Sequence, residues 1–289
     1  MTVVYALLTA LSNALNLTTQ HRASIASPPR ARGWRLVLYL FRNPLWLFGW
    51  VALAAAFVFQ ALALQSGQMS VVQPLLVMEL VFVLVLRRVW IHQRIRPVTW
   101  WAAGLTCATL AVFLGVAEPQ GGQSAASSNT WVGVVIATIG ATGLLSLLGM
   151  RGSPVRRAAL MGSATAILWA LVAAFIKTTM DTLSQFGVSG VFVHWPVYAL
   201  AVAGLGAEIL NQVTLHVGPL SVSQPFLVIV DPIASIGLSV WVFEEYFTPN
   251  ALRLAVGALS FAVMCLSVVV LTRTAPPTME PADLPATDL

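Results

Sequence analysis

Runs of apolar residues alternate along this chain with short polar or arginine-bearing connections. A helix needs roughly 20 apolar residues to cross a bilayer. The pattern therefore predicts spanning helices at about 2–20, 45–65, 69–87, 98–117, 130–149, 158–180, 190–213, 218–243 and 250–272, nine in all. Tryptophans at several span ends (Trp46, Trp50, Trp90, Trp100, Trp101, Trp131, Trp195 and Trp241) suit a belt at the membrane interface. The stretch 119–130 (PQGGQSAASSNT) predicts a flexible outer loop, and the Pro-rich, acidic tail a disordered segment.

One motif occurs twice. Residues 67–77 read GQMSVVQPLLV and residues 218–228 read GPLSVSQPFLV, with seven of eleven positions identical at a constant offset of 151. The same offset relates Gln60 to Asn211 and Val89-Trp90 to Val240-Trp241. Matching flanks make this an internal duplication, the feature that decides the fold.

Basic residues orient the halves. Arg22, Arg30, Arg32, Arg35 and Arg42, then Arg87, Arg88, Arg94 and Arg96, then Arg151, Arg156 and Arg157, and finally Arg273 occupy alternate connections, so 13 of 15 basic residues fall on one side. The positive-inside rule makes that side cytoplasmic, with the N-terminus outside and the C-terminus inside, and suggests the plasma membrane. Lys177 and Arg253, the two exceptions, lie at span ends where long side chains snorkel. Spans 1–4 then begin outside and spans 6–9 inside, so the copies are inverted. The expected fold is all-α: a polytopic membrane protein of about nine transmembrane helices. It holds a first four-helix repeat at 1–117, a linking helix at 130–149, a second repeat at 158–272 and a cytoplasmic tail at 273–289.

Composition sharpens this. Apolar residues make up 58% and charged residues 9%, against about a quarter charged in soluble domains. The net charge of +5 reads as topology signal rather than a nucleic-acid surface. Cys107 and Cys265 read as packed small hydrophobes, and no secretory signal peptide is expected. His21, His92, His194 and His216 fall near span ends or in loops without ligand spacing, so no metal or other cofactor is expected.

A charge at the bilayer centre costs at least ~2.5–3.5 kcal/mol, which singles out Glu79, Glu208 and Asp231 as proton- or cation-coupling groups. Gln224 and Asp231 lie two helical turns apart on one stripe, and Glu208, Asn211 and Gln212 share another face. Pro74, Pro225 and Pro232 follow polar residues and are expected to break their helices, freeing backbone ligands inside a cavity. The candidate substrate-binding set is Gln73, Gln224, Asn211, Trp169, Asn13 and Gln60. Glu244 and Glu245, at the end of span 8, read as a solvated pair.

Inverted four-helix repeats, a proline-marked third span in each and a short glycine-bearing final span resemble the drug/metabolite transporter (DMT, EamA-like) superfamily over about 2–272. The nine-span layout, with RNPLWLFGW (42–50), VVQPLLVMELVFVLVL (71–86) and TWWAAGLTCATLAVFLGV (99–116), is similar to the NIPA-like magnesium transporter branch. Glu244 matches a glutamate that closes the proline-bearing span in that superfamily, whereas Arg87-Arg88 stands there in the first half.

The resemblance implies a secondary transporter for a small metabolite or drug-like solute working by alternating access, with a proton carried by Asp231 or Glu208. A NIPA-like magnesium permease drawing on Asp231, Glu208 and Glu79 is the alternative. A non-transporting scaffold is the second, since Ala203 with Ala207 and Gly133 with Gly140 would allow close helix contacts or a homodimer. No HExxH, nucleophile elbow or paired catalytic aspartates occur, so an enzyme is not expected. The partners expected are the lipid bilayer and a small molecule or ion, and no nucleic acid.

Overall fold

The computed structural model describes residues 1–25, 43–90, 92–122, 127–217, 220–247 and 250–274. Among these, ten helices and one two-stranded ribbon follow in the order α1 (Thr2–Ile25), α2 (Pro44–Ser66), α3 (Met69–Leu76), α4 (Met78–Trp90), α5 (Pro97–Ala117), β1 (Pro119–Gly121), α6 (Ser128–Gly149), α7 (Pro154–Val193), α8 (Pro196–Val217), α9 (Leu220–Phe243), β2 (Glu245–Phe247) and α10 (Ala251–Thr274). Several starts are written locally. Asn43, Ser127 and Ser153 each accept a hydrogen bond from a backbone N–H of the first turn, at 2.9, 3.2 and 3.3 Å, and Pro44 and Pro154 open their helices with a preset φ.

Eight described segments are long and apolar enough to cross a membrane: α2, α3 with α4, and each helix from α5 to α10. The chain is an all-α polytopic membrane protein. The first expected span, 2–20, forms α1, a helix of 24 residues that falls short of that apolarity. Its polar residues explain this, because Thr9, Ser12, Thr18 and Thr19 are buried together with Ala6, Ala10 and Ala14. Valines and a leucine (Val3, Val4, Leu17) are turned outward instead. Still, α1 runs the length of α2, with Thr2 bonded to Ser66 at one end and Gln20 beside Gly49 at the other.

Three boundaries differ from expectation. The third span is two helices, broken at Val77, whose N–H turns back to the Pro74 carbonyl at 3.2 Å. Its counterpart α9 continues through Pro225 and Pro232 without a break, so those two prolines do not interrupt their helix. The sixth span does not stop near 180: α7 runs 40 residues and kinks at Gly187 (φ 70°, ψ −175°), a conformation open essentially to glycine alone, and α8 starts at Pro196 rather than 190. The expected loop 119–130 contains strand β1 and, at Ser127, the cap of α6. Residues 123–126, the tail 275–289, Arg30, Arg32, Arg35, Arg42 and Gly218 lie outside the described residues.

Packing relates the two halves of the chain. α1 lies along α2 and crosses α3 and α4, while α7 lies along α8 and crosses α9. Gly162 of α7 comes so close to α9 that a Cβ would stand 2.7 Å from the Ser223 carbonyl oxygen. Helices α5 and α10 pack antiparallel: Thr99 meets Thr274, Thr106 shares a buried 2.7 Å hydrogen bond with Ser267, and Glu118 pairs with Arg253. β1 and β2 pair antiparallel as well, in register Pro119↔Phe247 and Gly121↔Glu245. This ribbon marks one end of the bundle. Most of the buried hydrophobic side chains form one cluster running through α3, α6, α7, α9 and α10.

Candidate functional site

The most strongly tied group at the ribbon end was not expected. Helix α3 begins at Met69 after Gln68, whose side chain does not cap it. The first N–H groups of a helix need acceptors, and here they come from the other half of the chain. The Glu245 carboxylate accepts from Met69 N at 2.9 Å, Ser70 N at 3.0 Å and Ser70 Oγ at 2.6 Å. Glu245 is 1% exposed, which corrects the expectation of a solvated Glu244–Glu245 pair; Glu244 alone is exposed. The positive end of the α3 dipole and three charge-assisted hydrogen bonds offset the desolvation of that carboxylate.

Lys177 completes the junction. Rather than snorkelling, its ammonium is buried, 3.9 Å from Glu245 Oε1. It donates to the Gly67 carbonyl at 2.9 Å and the Leu64 carbonyl at 3.3 Å, at the C-terminal end of α2. The Phe243 ring lies 5.2 Å from it. Behind stand Trp131 and Phe175, stacked 5.1 Å apart, with Trp195 edge-on to both. Trp131 is 6% exposed and so belongs to this packing rather than to an interfacial belt. Trp50, Trp101, Trp195 and Trp241 are exposed.

A polar cleft of about 510 Å³ opens beside the junction, between the ends of α1 and α2, the loop after β1 and one face of α7, where Lys177 and Asp181 lie one turn apart. A second cavity, of about 280 Å³, is apolar and lies between α5, α9 and α10 with Arg253 at its edge.

The residues expected to form a site lie on seven helices, α1, α2, α3, α4, α7, α8 and α9. Gln73 is 1% exposed, one turn below Ser70, and its amide nitrogen is buried without a hydrogen-bond partner. Glu79 of α4 is reached by the side chain of Asn13 from α1. Asp231, half-buried in α9, accepts from Ser235 of its own helix at 3.3 Å. Glu208 is exposed on α8 and accepts from Gln212 at 2.6 Å, so that pair satisfies itself on the outside of the bundle. Asn211, Gln224 and Gln60 are half-buried on α8, α9 and α2, and Trp169 packs against the core. Ala207 is buried inside the bundle and Ala203 packs against the core, so the pair does not form an outer contact face. Among the described residues no three His, Cys, Asp or Glu side chains lie close enough to hold a metal ion.

Helices of this length and apolarity, alternating in direction around a buried charged junction, define a multi-span membrane protein. The chain is similar to an uncharacterized protein of Corynebacterium glutamicum, 28% identical over 277 residues that cover 95% of each chain. No family model matches the chain, and no solved structure matches it.

Proposed function

We propose that the chain is a secondary transporter of the drug/metabolite type, moving a small metabolite or drug-like solute by alternating access between two inverted four-helix halves. In this reading α1 is the ninth span, α6 links the halves, and the arginine-rich end faces the cytoplasm. The observation that carries it is the packing of equivalent helices against each other in opposite directions. α5 runs antiparallel to α10 along its whole length, and α3 meets the far end of α9 through Glu245. Elements related by a two-fold axis in the membrane plane must meet this way. The repeated motif opens α3 and α9 at opposite ends of the bundle, as inversion requires.

Only one end carries the carboxylate tie. The position equivalent to Glu245 at the offset of 151 is Arg94, which cannot accept from a helix N-terminus. The halves are thus locked at the ribbon end by Glu245, Lys177 and the β1–β2 pair, and a transport cycle has to release them. In this reading Gln73, whose amide nitrogen is buried without a partner, contacts the substrate and Asp231 exchanges the proton. The magnesium alternative draws less support, because Glu79, Asp231 and Glu208 each bond a different neighbour and stand apart.

Purified protein in liposomes loaded with a bacterial metabolite extract tests this, with external solutes followed by mass spectrometry under an imposed pH gradient. At least one solute should leave faster than from protein-free liposomes, and Asp231→Asn should remove the dependence on the gradient. Identical release from both kinds of liposome would leave the scaffold reading in its place.

A further inference from the structure

The polar cleft at the ribbon end has lopsided hydrogen-bonding chemistry. The hydroxyl and ammonium donors of its described wall are already spent, and the Gln65 and Gln68 amides each use one N–H. Thr2 Oγ1 donates to the Ser66 carbonyl at 2.8 Å, Ser66 Oγ to the Leu62 carbonyl at 2.7 Å, and Gln68 Nε2 to the Gly121 carbonyl at 3.3 Å. The Lys177 ammonium is drawn to the Gly67 and Leu64 carbonyls and toward Glu245. What remains toward the cleft is chiefly acceptor capacity: hydroxyl and carbonyl lone pairs, and the negative end of the α2 dipole.

Asp181 adds an unmet charge. It follows Lys177 by four residues, the spacing at which oppositely charged helix neighbours pair. No ion pair within 4.0 Å joins them, because Lys177 reaches across to α2 and Glu245 instead. The Asp181 Oδ2 atom is buried with no hydrogen-bond partner, a costly state for a carboxylate oxygen. Lys177 and Glu245 cancel, leaving Asp181 as the net charge of the cleft. Met1, next to Thr2 in the wall, is 87% exposed, and its amine makes no ion pair with Asp181.

We propose that this cleft binds a small organic ammonium ion carrying N–H donors, a primary amine, held by the Asp181 carboxylate and the carbonyl end of α2. Its volume of about 510 Å³ suits an organic solute rather than a bare metal ion. None of the described residues lining it is aromatic, and quaternary ammonium groups, which have no N–H to give, are recognised on aromatic faces. The proposal names the solute class of the transport reading and rests on that reading for its meaning, but binding is measured without transport.

The test is thermal unfolding of the full chain in detergent micelles, titrated at constant ionic strength with ethanolamine, tetramethylammonium or glycolate. A ligand of the folded state raises its stability saturably. Ethanolamine should stabilise the wild-type protein, tetramethylammonium much less, and glycolate not at all. Asp181→Asn should weaken the ethanolamine response about tenfold or more, the scale of one charge-assisted hydrogen bond, and Asp181→Glu should restore part of it. Glycolate stabilising as well as ethanolamine, an unchanged response in Asp181→Asn, or no response to ethanolamine in the wild-type protein would each overturn the proposal. Flux from metabolite-loaded liposomes without amine binding overturns this inference alone; amine binding without any flux overturns the transport reading alone.

Discussion

Replacing Glu245 with glutamine removes a charge from a packed junction and keeps its shape. Glutamine offers one acceptor oxygen where the carboxylate offers two, and its amide nitrogen would face a backbone N–H. Either Met69 N or Ser70 N, now bonded at 2.9 and 3.0 Å, then loses its acceptor, at a cost of about 1–3 kcal/mol for a buried donor. Lys177 loses its counter-charge at 3.9 Å. It keeps two carbonyl partners, so this part falls well below the ~3–5 kcal/mol of a fully broken buried pair and adds about 1 kcal/mol. The sum is about 2–4 kcal/mol, or a fall in melting temperature of roughly 5–15 °C at the usual few degrees per kcal/mol. Thermal unfolding in one detergent measures it. A double-mutant cycle with Ser70→Ala should show coupling of about 1 kcal/mol or more, since the two side chains share a 2.6 Å bond. A melting temperature within about 2 °C of wild type would refute the role given to Glu245.

Three further outcomes follow from the same packing. Gly162→Ala drives a methyl group to 2.7 Å from the Ser223 backbone oxygen, so the α7–α9 crossing should lose about 1–3 kcal/mol, whereas Gly140→Ala, with open space around it, should be tolerated; both are read by thermal unfolding. Gln73→Leu removes a buried amide nitrogen with no partner and should change stability by no more than about 1 kcal/mol, while lowering solute flux in liposomes about tenfold. Arg253→Gln breaks an ion pair with Glu118 whose side chains are 47% and 50% exposed, so unfolding should report at most about 1 kcal/mol, diminishing with added salt.

The helices were legible because bilayer thickness imposes a length that apolar runs must match, and α2, α5, α6 and α10 begin or end within a few residues of the expected limits. Polarity misled at Asp181 to Gln185: the chain stays helical there, with Asp181 turned to the cleft, and the true break waits for Gly187. The candidate site was less legible. Asp231, Glu208 and Glu79 stand out in sequence because membrane depth makes carboxylates costly, yet depth says nothing about convergence, and each bonds a different neighbour, Ser235 and Gln212 on the same helix and Asn13 across from α1. Glu245 escaped notice because a carboxylate beyond a span end has water as its default solvent. Two signals pointed to it nonetheless. Gln68 is a poor cap for a helix that has to start at Met69, and the first turn of α3 therefore needed an acceptor from elsewhere. Lys177, at the end of the apolar stretch of α7, equally needed a counter-charge once buried.

The central claim is that two inverted halves separate at the ribbon end during transport. Gln120 and Tyr246 are directly paired residues of β1 and β2, and paired strand positions bring Cα atoms to within disulfide range. Cysteines placed at these two positions, with Cys107 and Cys265 replaced by alanine, should form a disulfide that stops solute flux from loaded liposomes. A reductant should then return flux to the level of the unlinked protein. Undiminished flux through the fully crosslinked protein would contradict the account, because the halves would then never need to part there.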